Sequence, residues 1–317
     1  MAVDKITRDA LKIGHARADD VIAFRVKSLR LRSKALARHA VKVAAQPARE
    51  AAPVVAMPKA LAAAVASAGV LVAEGDSWFD YPLTDVLRVL EDEHGYDVES
   101  VAHKGDRVEE MAYAGGQLEE LSRRIEKLLR NNKVPTAILL SGGGNDIAGS
   151  EFGMLLNHKA SAIAGLNDQV LTGVVDQRIR TAFITILAAI TRISENWLQR
   201  PLPILVHGYD YAVPDGRGFL GGWAFLPGPW LQPGFREKGF GDLDECKAMT
   251  KKLIDRFNAM VADVCAQPQF KHVTYVNLRN TLSSAANYKQ FWANELHPTA
   301  RGFGLVTDRF VKALGAL

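Results

Sequence analysis

From residue 70 to the C-terminus, short apolar runs alternate with longer stretches of helical periodicity. The apolar runs lie at Val70–Ala73, Val98–Ala102, Ala137–Leu140, Ile204–Val206 and Val273–Val276. The helical stretches lie at about 83–93, 116–131, 174–198, 243–265 and 299–315. Short apolar runs flanked by helices are typical of strands buried on both faces of a parallel sheet. The pattern therefore predicts one α/β domain, a doubly wound (flavodoxin-like) parallel five-stranded sheet flanked by helices, with its functional loops at the carboxyl ends of the strands.

Residues 1–69 precede this domain as a basic helical extension and a linker. Residues 1–50 carry 12 Lys or Arg and 5 Asp or Glu, a net charge of +7. The other 267 residues carry 27 Lys or Arg and 30 Asp or Glu, a net charge of −3. Apolar or small residues recur with four-three spacing from Ile22 to Val43, which predicts a helix that packs on another helix. Pro47, Pro53 and Pro58 interrupt the Ala-rich stretch that follows, which indicates a semi-rigid linker leading into a short Ala-rich helix.

The helical extension has three candidate partners. It can lie on the protein's own domain, on a sister subunit, or on an anionic membrane surface or nucleic acid. Packing on its own domain requires the linker to fold back, and the opposite net charges of extension and domain favour a contact between chains. We therefore predict a homo-oligomer in which residues 20–44 make inter-subunit contacts.

Composition excludes several classes of protein. Hydrophobic residues make up 48% of the chain and charged residues 23%, which excludes a mainly disordered chain. No apolar run approaches the roughly 20 residues of a transmembrane helix. The two cysteines do not have the spacing typical of a metal site, and the N-terminus lacks the apolar core of a secretory signal peptide. We therefore expect a cytoplasmic protein. The main domain lacks the basic stripe that nucleic-acid binding requires, so we expect no nucleic-acid partner.

Four loops after the predicted strands carry residues suited to acyl transfer. Ser77 follows the first strand on a tight turn before a helix, where a serine can be an exposed nucleophile. Gly105 follows the second strand and Asn145 ends a glycine-rich loop after the third, and their N–H groups can bind a developing oxyanion. His297 precedes the last helix and can act as a base near neutral pH. Taken singly, each of these segments also has an ordinary structural explanation.

Together, the four segments resemble the four sequence blocks of the SGNH hydrolases, the GDSL-type esterases and lipases. The matching residues are Gly75-Asp76-Ser77, Gly105, Gly143-Gly144-Asn145-Asp146 and His297-Pro298, in that order. The resemblance covers residues 70–317 and implies a serine esterase that uses no metal or organic cofactor. It implies that Ser77 attacks an ester carbonyl and that His297 accepts its proton. It also implies an oxyanion hole made by the N–H groups of Ser77 and Gly105 and the side-chain amide of Asn145.

One position departs from the family pattern. The last block normally reads D-x-x-H, and Asn294 stands here where the family has aspartate. An amide oxygen can accept the imidazole N–H but cannot stabilise the imidazolium by charge. Glu295, a backbone carbonyl, or an unassisted Ser-His pair can replace the aspartate. We favour a Ser-His pair whose histidine is held by a carbonyl or by Asn294, because Glu295 is one residue out of position.

A long segment at residues 208–241 is rich in Gly, Pro and aromatic residues and has no helical period. It follows a predicted strand end, where ligands bind in such sheets, and we expect it to cover the site. The residues expected to bind substrate are Trp78, Phe79, Tyr209, Trp223 and Trp230. Aromatic walls suit acyl chains, aryl esters and sugars alike, so a small-molecule carboxylic ester is the first choice of substrate. The alternatives are a carbohydrate O-deacetylase, a lysophospholipase or thioesterase, and a non-catalytic binding or assembly protein.

Overall fold

A computed structural model describes residues 4–44, 67–114, 116–221 and 226–317 of the chain. The predicted linker and Ala-rich helix at residues 45–66, and Trp223, lie outside these residues. The helices are α1 (Lys5–Ala44), α2 (Val86–Asp92), α3 (Val108–Tyr113), α4 (Gln117–Arg130), α5 (Asp168–Leu171), α6 (Arg180–Leu198), α7 (Gln232–Glu237), α8 (Leu243–Cys265) and α9 (Ala300–Leu314). The strands are β1 (Gly69–Glu74), β2 (Tyr96–Ser100), β3 (Ala137–Leu140), β4 (Leu156–Asn157), β5 (Gly165–Leu166), β6 (Ile204–His207) and β7 (Val273–Val276).

Five parallel strands form the central sheet in the order β2-β1-β3-β6-β7, which confirms the predicted doubly wound fold. Every residue of β3 and β6 is buried, as their continuous apolar sequences require. Helices α2 and α9 contact each other on one side of the sheet, and α6 contacts both α4 and α8 on the other. The chain reverses its direction of winding between β1 and β3, and in such sheets the binding crevice opens at that point.

The predicted N-terminal helix is present, and its first half packs on the protein's own domain. Thr7, Ala10, Gly14 and Ala18 are buried at a spacing of three or four residues. A Cβ atom at Gly14 would lie 2.3 Å from the carbonyl oxygen of Thr185 in α6, so only glycine permits this close approach. The four-three periodicity predicted from the sequence begins at Ile22, so it did not include this docking face, which lies nearer the N-terminus.

A buried charge pair continues the contact of α1 with the domain. Arg25 lies 2.8 Å from the carboxylate of Glu126 and 3.3 Å from that of Glu119, both in α4. At this point the contact is made within the chain and not between subunits, unlike the expectation for residues 20–44. Residues 30–34 are exposed all round the helix. The inter-subunit contact therefore stays a prediction for the part of α1 beyond Arg25. Among the described helices, none is long and apolar enough to cross a membrane.

The close approach at Gly14 predicts opposite effects of one substitution at two helical glycines. Gly14→Ala should lower the free energy of unfolding by about 1–3 kcal/mol, because the added methyl group overpacks the contact between α1 and α6. Gly304→Ala is the matched control, since no atom lies within 4 Å of a Cβ placed there in α9. It should raise stability by about 0.5–1 kcal/mol through helix propensity alone. Chemical denaturation of both variants measures the difference, and equal shifts would contradict the docking of α1.

Candidate active site

Ser77 lies on a tight turn directly after β1. The turn is closed by hydrogen bonds from the amides of Phe79 and Asp80 to the carbonyl of Asp76, at 3.0 and 3.2 Å. The neighbouring Gly75 packs so closely on Ser141 that a Cβ there would lie 2.7 Å from the Ser141 Cβ. The next helix, α2, begins only at Val86, so Ser77 does not stand at a helix N-terminus as expected. The turn leaves the Ser77 side chain half-buried.

His297 faces this serine. Its Nε2 atom lies 2.7 Å from Ser77 Oγ, although 220 residues separate the two in sequence. Its Nδ1 atom lies 3.0 Å from Asn294 Oδ1. Burial lowers the pKa of His297 to about 3, which keeps the imidazole neutral. The structure thus joins Ser77, His297 and Asn294 in one chain of hydrogen bonds.

The hydrogen bonds of Asn294 determine which imidazole nitrogen carries the proton. Asn294 Oδ1 accepts from the backbone amides of Leu296 and His297 at 3.0 and 2.9 Å. A backbone amide can only donate, so the atom facing it must be the side-chain oxygen and not the nitrogen. The same oxygen faces His297 Nδ1, which must therefore hold the proton. The lone pair is left on Nε2, opposite the Ser77 hydroxyl.

Tyr81 supports this arrangement from two directions. Its hydroxyl oxygen accepts a hydrogen bond from Asn294 Nδ2 at 3.1 Å, which fixes the other end of the amide. Its ring stacks on the imidazole of His297 with a centroid distance of 4.4 Å and an interplanar angle of 21°. Trp230 approaches the same imidazole edge-on, with a centroid distance of 5.5 Å. Rings from two separate segments therefore enclose the histidine.

Gly105 and Asn145 lie at the same cavity as Ser77 and His297. The Asn145 side chain donates one N–H to the carbonyl of Asp106 at 2.9 Å, and an amide nitrogen has a second N–H to give. Gly105 has a φ of +91°, a backbone conformation that favours glycine. Within the described part of the chain, the backbone amides of Ser77 and Gly105 make no hydrogen bond. Three donors are thus available at one cavity.

A buried polar network beneath the turn that carries Ser77 was not predicted. Asp76 accepts hydrogen bonds from the hydroxyl of Ser141 at 2.6 Å and from the hydroxyl of Tyr209. Ser141 Oγ also lies 2.7 Å from Nε2 of His207, which burial holds at a lowered pKa. Ser141 and His207 are fully buried, so this Ser-His contact has no access to a substrate. It fixes the ends of β1, β3 and β6 relative to one another.

Glu295 does not contact the imidazole. Its buried carboxylate accepts four backbone amides from the segment at residues 208–241: Gly216 and Gln232 on one oxygen, at 2.9 and 3.1 Å, and Trp230 and Leu231 on the other, at 2.6 and 2.7 Å. Burial raises the pKa of Glu295, and the four amides oppose that shift. Only the ionised carboxylate offers an acceptor to all four donors. Glu295 therefore anchors the aromatic segment, which includes the short helix α7 that the sequence did not indicate.

The predicted substrate-binding aromatic residues fall into separate places. Trp230 lines a cavity of about 440 Å³ that Ser77 also lines, together with other residues of the aromatic segment. Trp78 and Tyr209 are buried and line a second chamber of about 50 Å³, which Ser77 lines as well. Phe79 lies in the core against His207 and Phe310, and it lines neither space. Among the described residues, no group of three or more His, Cys, Asp or Glu is arranged to hold a metal ion.

The sequence matches no protein-family model and no curated protein. Similar solved structures include a catalytic mutant of Axe2, an acetylxylan esterase from Geobacillus stearothermophilus, with 14% identity, a TM-score of 0.39, and coverage of 78% of this chain and 95% of that one. A candidate SGNH hydrolase from Slackia heliotrinireducens has 12% identity and a TM-score of 0.43, over 78% of this chain and 100% of that one. A carbohydrate esterase family 3 protein from Talaromyces cellulolyticus has 10% identity and a TM-score of 0.39, over 78% of this chain and 99% of that one.

The likeness to these structures concerns the fold alone. Within the candidate site, Asn294 Oδ1 is the atom that faces His297 Nδ1, at 3.0 Å, whereas the carboxylate of Glu295 accepts hydrogen bonds from the aromatic segment.

The anchoring role of Glu295 predicts a loss of stability when its charge is removed. Glu295→Gln places an NH₂ group against backbone N–H donors, and unfolding should become easier by about 3 kcal/mol. Cleavage by a protease within residues 208–241 should become faster in the same variant. Glu237→Gln changes an exposed glutamate of α7 and should stay within about 0.5 kcal/mol of the parent. Equal stability and equal cleavage of the two variants would show that Glu295 does not anchor the segment.

Proposed function

We propose that the chain is a serine hydrolase that cleaves carboxylic esters by acyl transfer to water. The observation that carries this proposal is the 2.7 Å contact between Ser77 Oγ and the unprotonated Nε2 of His297. A serine hydroxyl is a weak nucleophile until a neighbouring base accepts its proton. Both groups open onto a cavity of about 440 Å³, which gives an ester access to them.

In the first step, Ser77 Oγ forms a bond to the ester carbonyl carbon while its proton moves to His297 Nε2. Negative charge develops on the carbonyl oxygen. The N–H groups of Ser77, Gly105 and Asn145 receive that oxygen, and each such donor typically contributes about 10²–10³ in rate. The donors are in place before the reaction, so no reorganisation is needed as the charge forms.

The imidazolium that results has no carboxylate partner. Asn294 keeps its hydrogen bond to the Nδ1 proton but adds no charge. The face of Tyr81, stacked at 4.4 Å, offers a cation–π contact that typically contributes about 0.5–2 kcal/mol. Tyr81 is therefore assigned as a positioning residue that offsets part of the missing charge.

In the second step, the imidazolium returns its proton to the leaving oxygen and the ester C–O bond breaks. The alcohol leaves and the acyl group remains on Ser77. Water then attacks the acyl carbon, gives one proton to His297 Nε2, and the bond to Ser77 Oγ breaks to release the acid. The proton returns to Ser77, and the site is restored.

Removal of the nucleophile tests the proposed function directly. Ser77→Ala should reduce the kcat/KM for 4-nitrophenyl acetate by roughly 10³-fold or more, with an unchanged circular dichroism spectrum. Ser28→Ala, on the N-terminal helix, is the control and should keep full activity. A fluorophosphonate probe should label the parent and the control but not Ser77→Ala. Labelling and turnover that survive in Ser77→Ala would show another nucleophile.

The neutral partner of the histidine predicts an unusual pH dependence. Because burial holds the His297 pKa near 3, the acid limb of kcat/KM should lie well below the ordinary histidine value of about 6.5. Asn294→Asp places a carboxylate beside the imidazole, which favours the protonated form and should move that limb upward. The stronger, charge-assisted hydrogen bond should raise kcat/KM at pH 8 by about ten-fold. A pH profile identical to that of the parent would contradict the assigned role of Asn294.

A further inference from the structure

Two spaces of very different size meet at the proposed nucleophile. Ser77, Asn145 and His297 line both the 440 Å³ cavity and the 50 Å³ chamber. A substrate whose reacting carbon lies at Ser77 therefore has one part in each space. The small chamber is walled mainly by apolar side chains, including Ile147, Leu231, Leu253 and Ile254.

The volumes limit what each space can hold. A cavity of about 150 Å³ holds a benzene molecule, which has six carbon atoms. On that scale the chamber of about 50 Å³ holds roughly two non-hydrogen atoms, and the cavity of about 440 Å³ holds many more. The alcohol leaves first, while the acyl group is still bonded to Ser77, so it belongs in the larger space that the aromatic segment borders, from which it departs without displacing the acyl group. The acyl group then belongs in the small chamber.

The small chamber also carries hydrogen-bond donors without partners. Thr250 of α8 and Trp292 both line it, and among the described residues Thr250 Oγ1 and Trp292 Nε1 are buried without a hydrogen-bond partner. A helical threonine can donate to the carbonyl four residues earlier, which satisfies its hydroxyl within the helix. Thr172, Thr181 and Thr185 do so. In the described part of the chain Thr250 makes no such bond, and it is one of the residues that line the chamber.

A buried hydroxyl without a partner is costly unless a bound molecule satisfies it. An acyl group with an oxygen at its far end would supply an acceptor for Thr250, and the volume of the chamber limits such a group to about two non-hydrogen atoms. We propose that the preferred substrate is an ester of a short, oxygen-bearing acyl group, with about two non-hydrogen atoms beyond the reacting carbonyl, such as glycolyl. This proposal rests on ester hydrolysis at Ser77, and it makes Thr250 a specificity-determining residue.

Acyl length is tested with 4-nitrophenyl esters, which share one leaving group. The kcat/KM for the propionate should exceed that for the octanoate by about 10²-fold or more, because the longer chain does not fit the chamber. Comparable values for the two esters would overturn the placement of the acyl group in the small chamber.

Acyl polarity is tested with the glycolate and the propionate of the same alcohol, which have equal numbers of non-hydrogen atoms. Their intrinsic reactivities differ, so the informative quantity is the change in the glycolate-to-propionate ratio between the parent and a variant. Thr250→Val keeps the side-chain shape and removes the hydroxyl, and it should lower this ratio by about three- to ten-fold. Thr307→Val is the matched control, since Thr307 of α9 is also buried, also has no hydrogen-bond partner within the described ranges, and lines neither space.

The control should leave the ratio unchanged. An equal ratio in the parent and in Thr250→Val would overturn the role of Thr250. These results differ from a failure of the proposed function, in which the parent hydrolyses none of the esters and no fluorophosphonate labels Ser77. Hydrolysis with the wrong selectivity rejects only the present inference.

Discussion

The orientation of a single side-chain amide governs the chemistry proposed for this protein. Asn294 Oδ1 accepts two backbone amides and the Nδ1 proton of His297, and Tyr81 accepts from the other end of the amide. These four bonds leave the amide no alternative orientation, so the lone pair of the imidazole must face Ser77. A charged aspartate is not needed to select this tautomer, because an oxygen held in the right place is sufficient. What the amide cannot supply is charge, and the stacked ring of Tyr81 is the group placed to offset that loss.

Adjacent residues of the same turn perform different tasks. Asn294 orients the histidine, whereas the Glu295 carboxylate accepts hydrogen bonds from four backbone amides of the aromatic segment. That segment carries Trp230, whose ring contacts His297 edge-on. The wall of the large cavity and the proposed base, His297, are therefore held by neighbouring positions in the sequence. A change in one should disturb the other through a few ångströms of rigid backbone.

The sequence predicted the sheet and the loops that carry the site, because these depend on local patterns. Continuous apolar runs determine which strands are buried, and Ser77, Gly105, Asn145 and His297 follow strand ends or precede a helix. The docking of α1, the anchoring by Glu295 and the donor of Thr250 were not predicted. The first two depend on contacts between residues far apart in the chain, as between Gly14 and Thr185, and no periodicity marks them. Thr250 differs from most other helical threonines only in its lack of a partner among the described residues, which a sequence cannot show. For Phe79 the sequence predicted a role that the structure does not support. Its position two residues after Ser77 suggested substrate binding, but its ring lies in the core.

In the proposed site, an uncharged amide holds a neutral histidine with its lone pair toward Ser77. Nitrogen NMR of histidine-labelled protein measures this most directly, with the His297 signals assigned by their loss in His297→Gln. We expect a proton on Nδ1 and none on Nε2 at neutral pH, with no protonation as the pH falls to about 5, because burial lowers the pKa of His297 to about 3. An imidazolium at neutral pH, or a proton on Nε2, would show that Asn294 does not hold the histidine in this form.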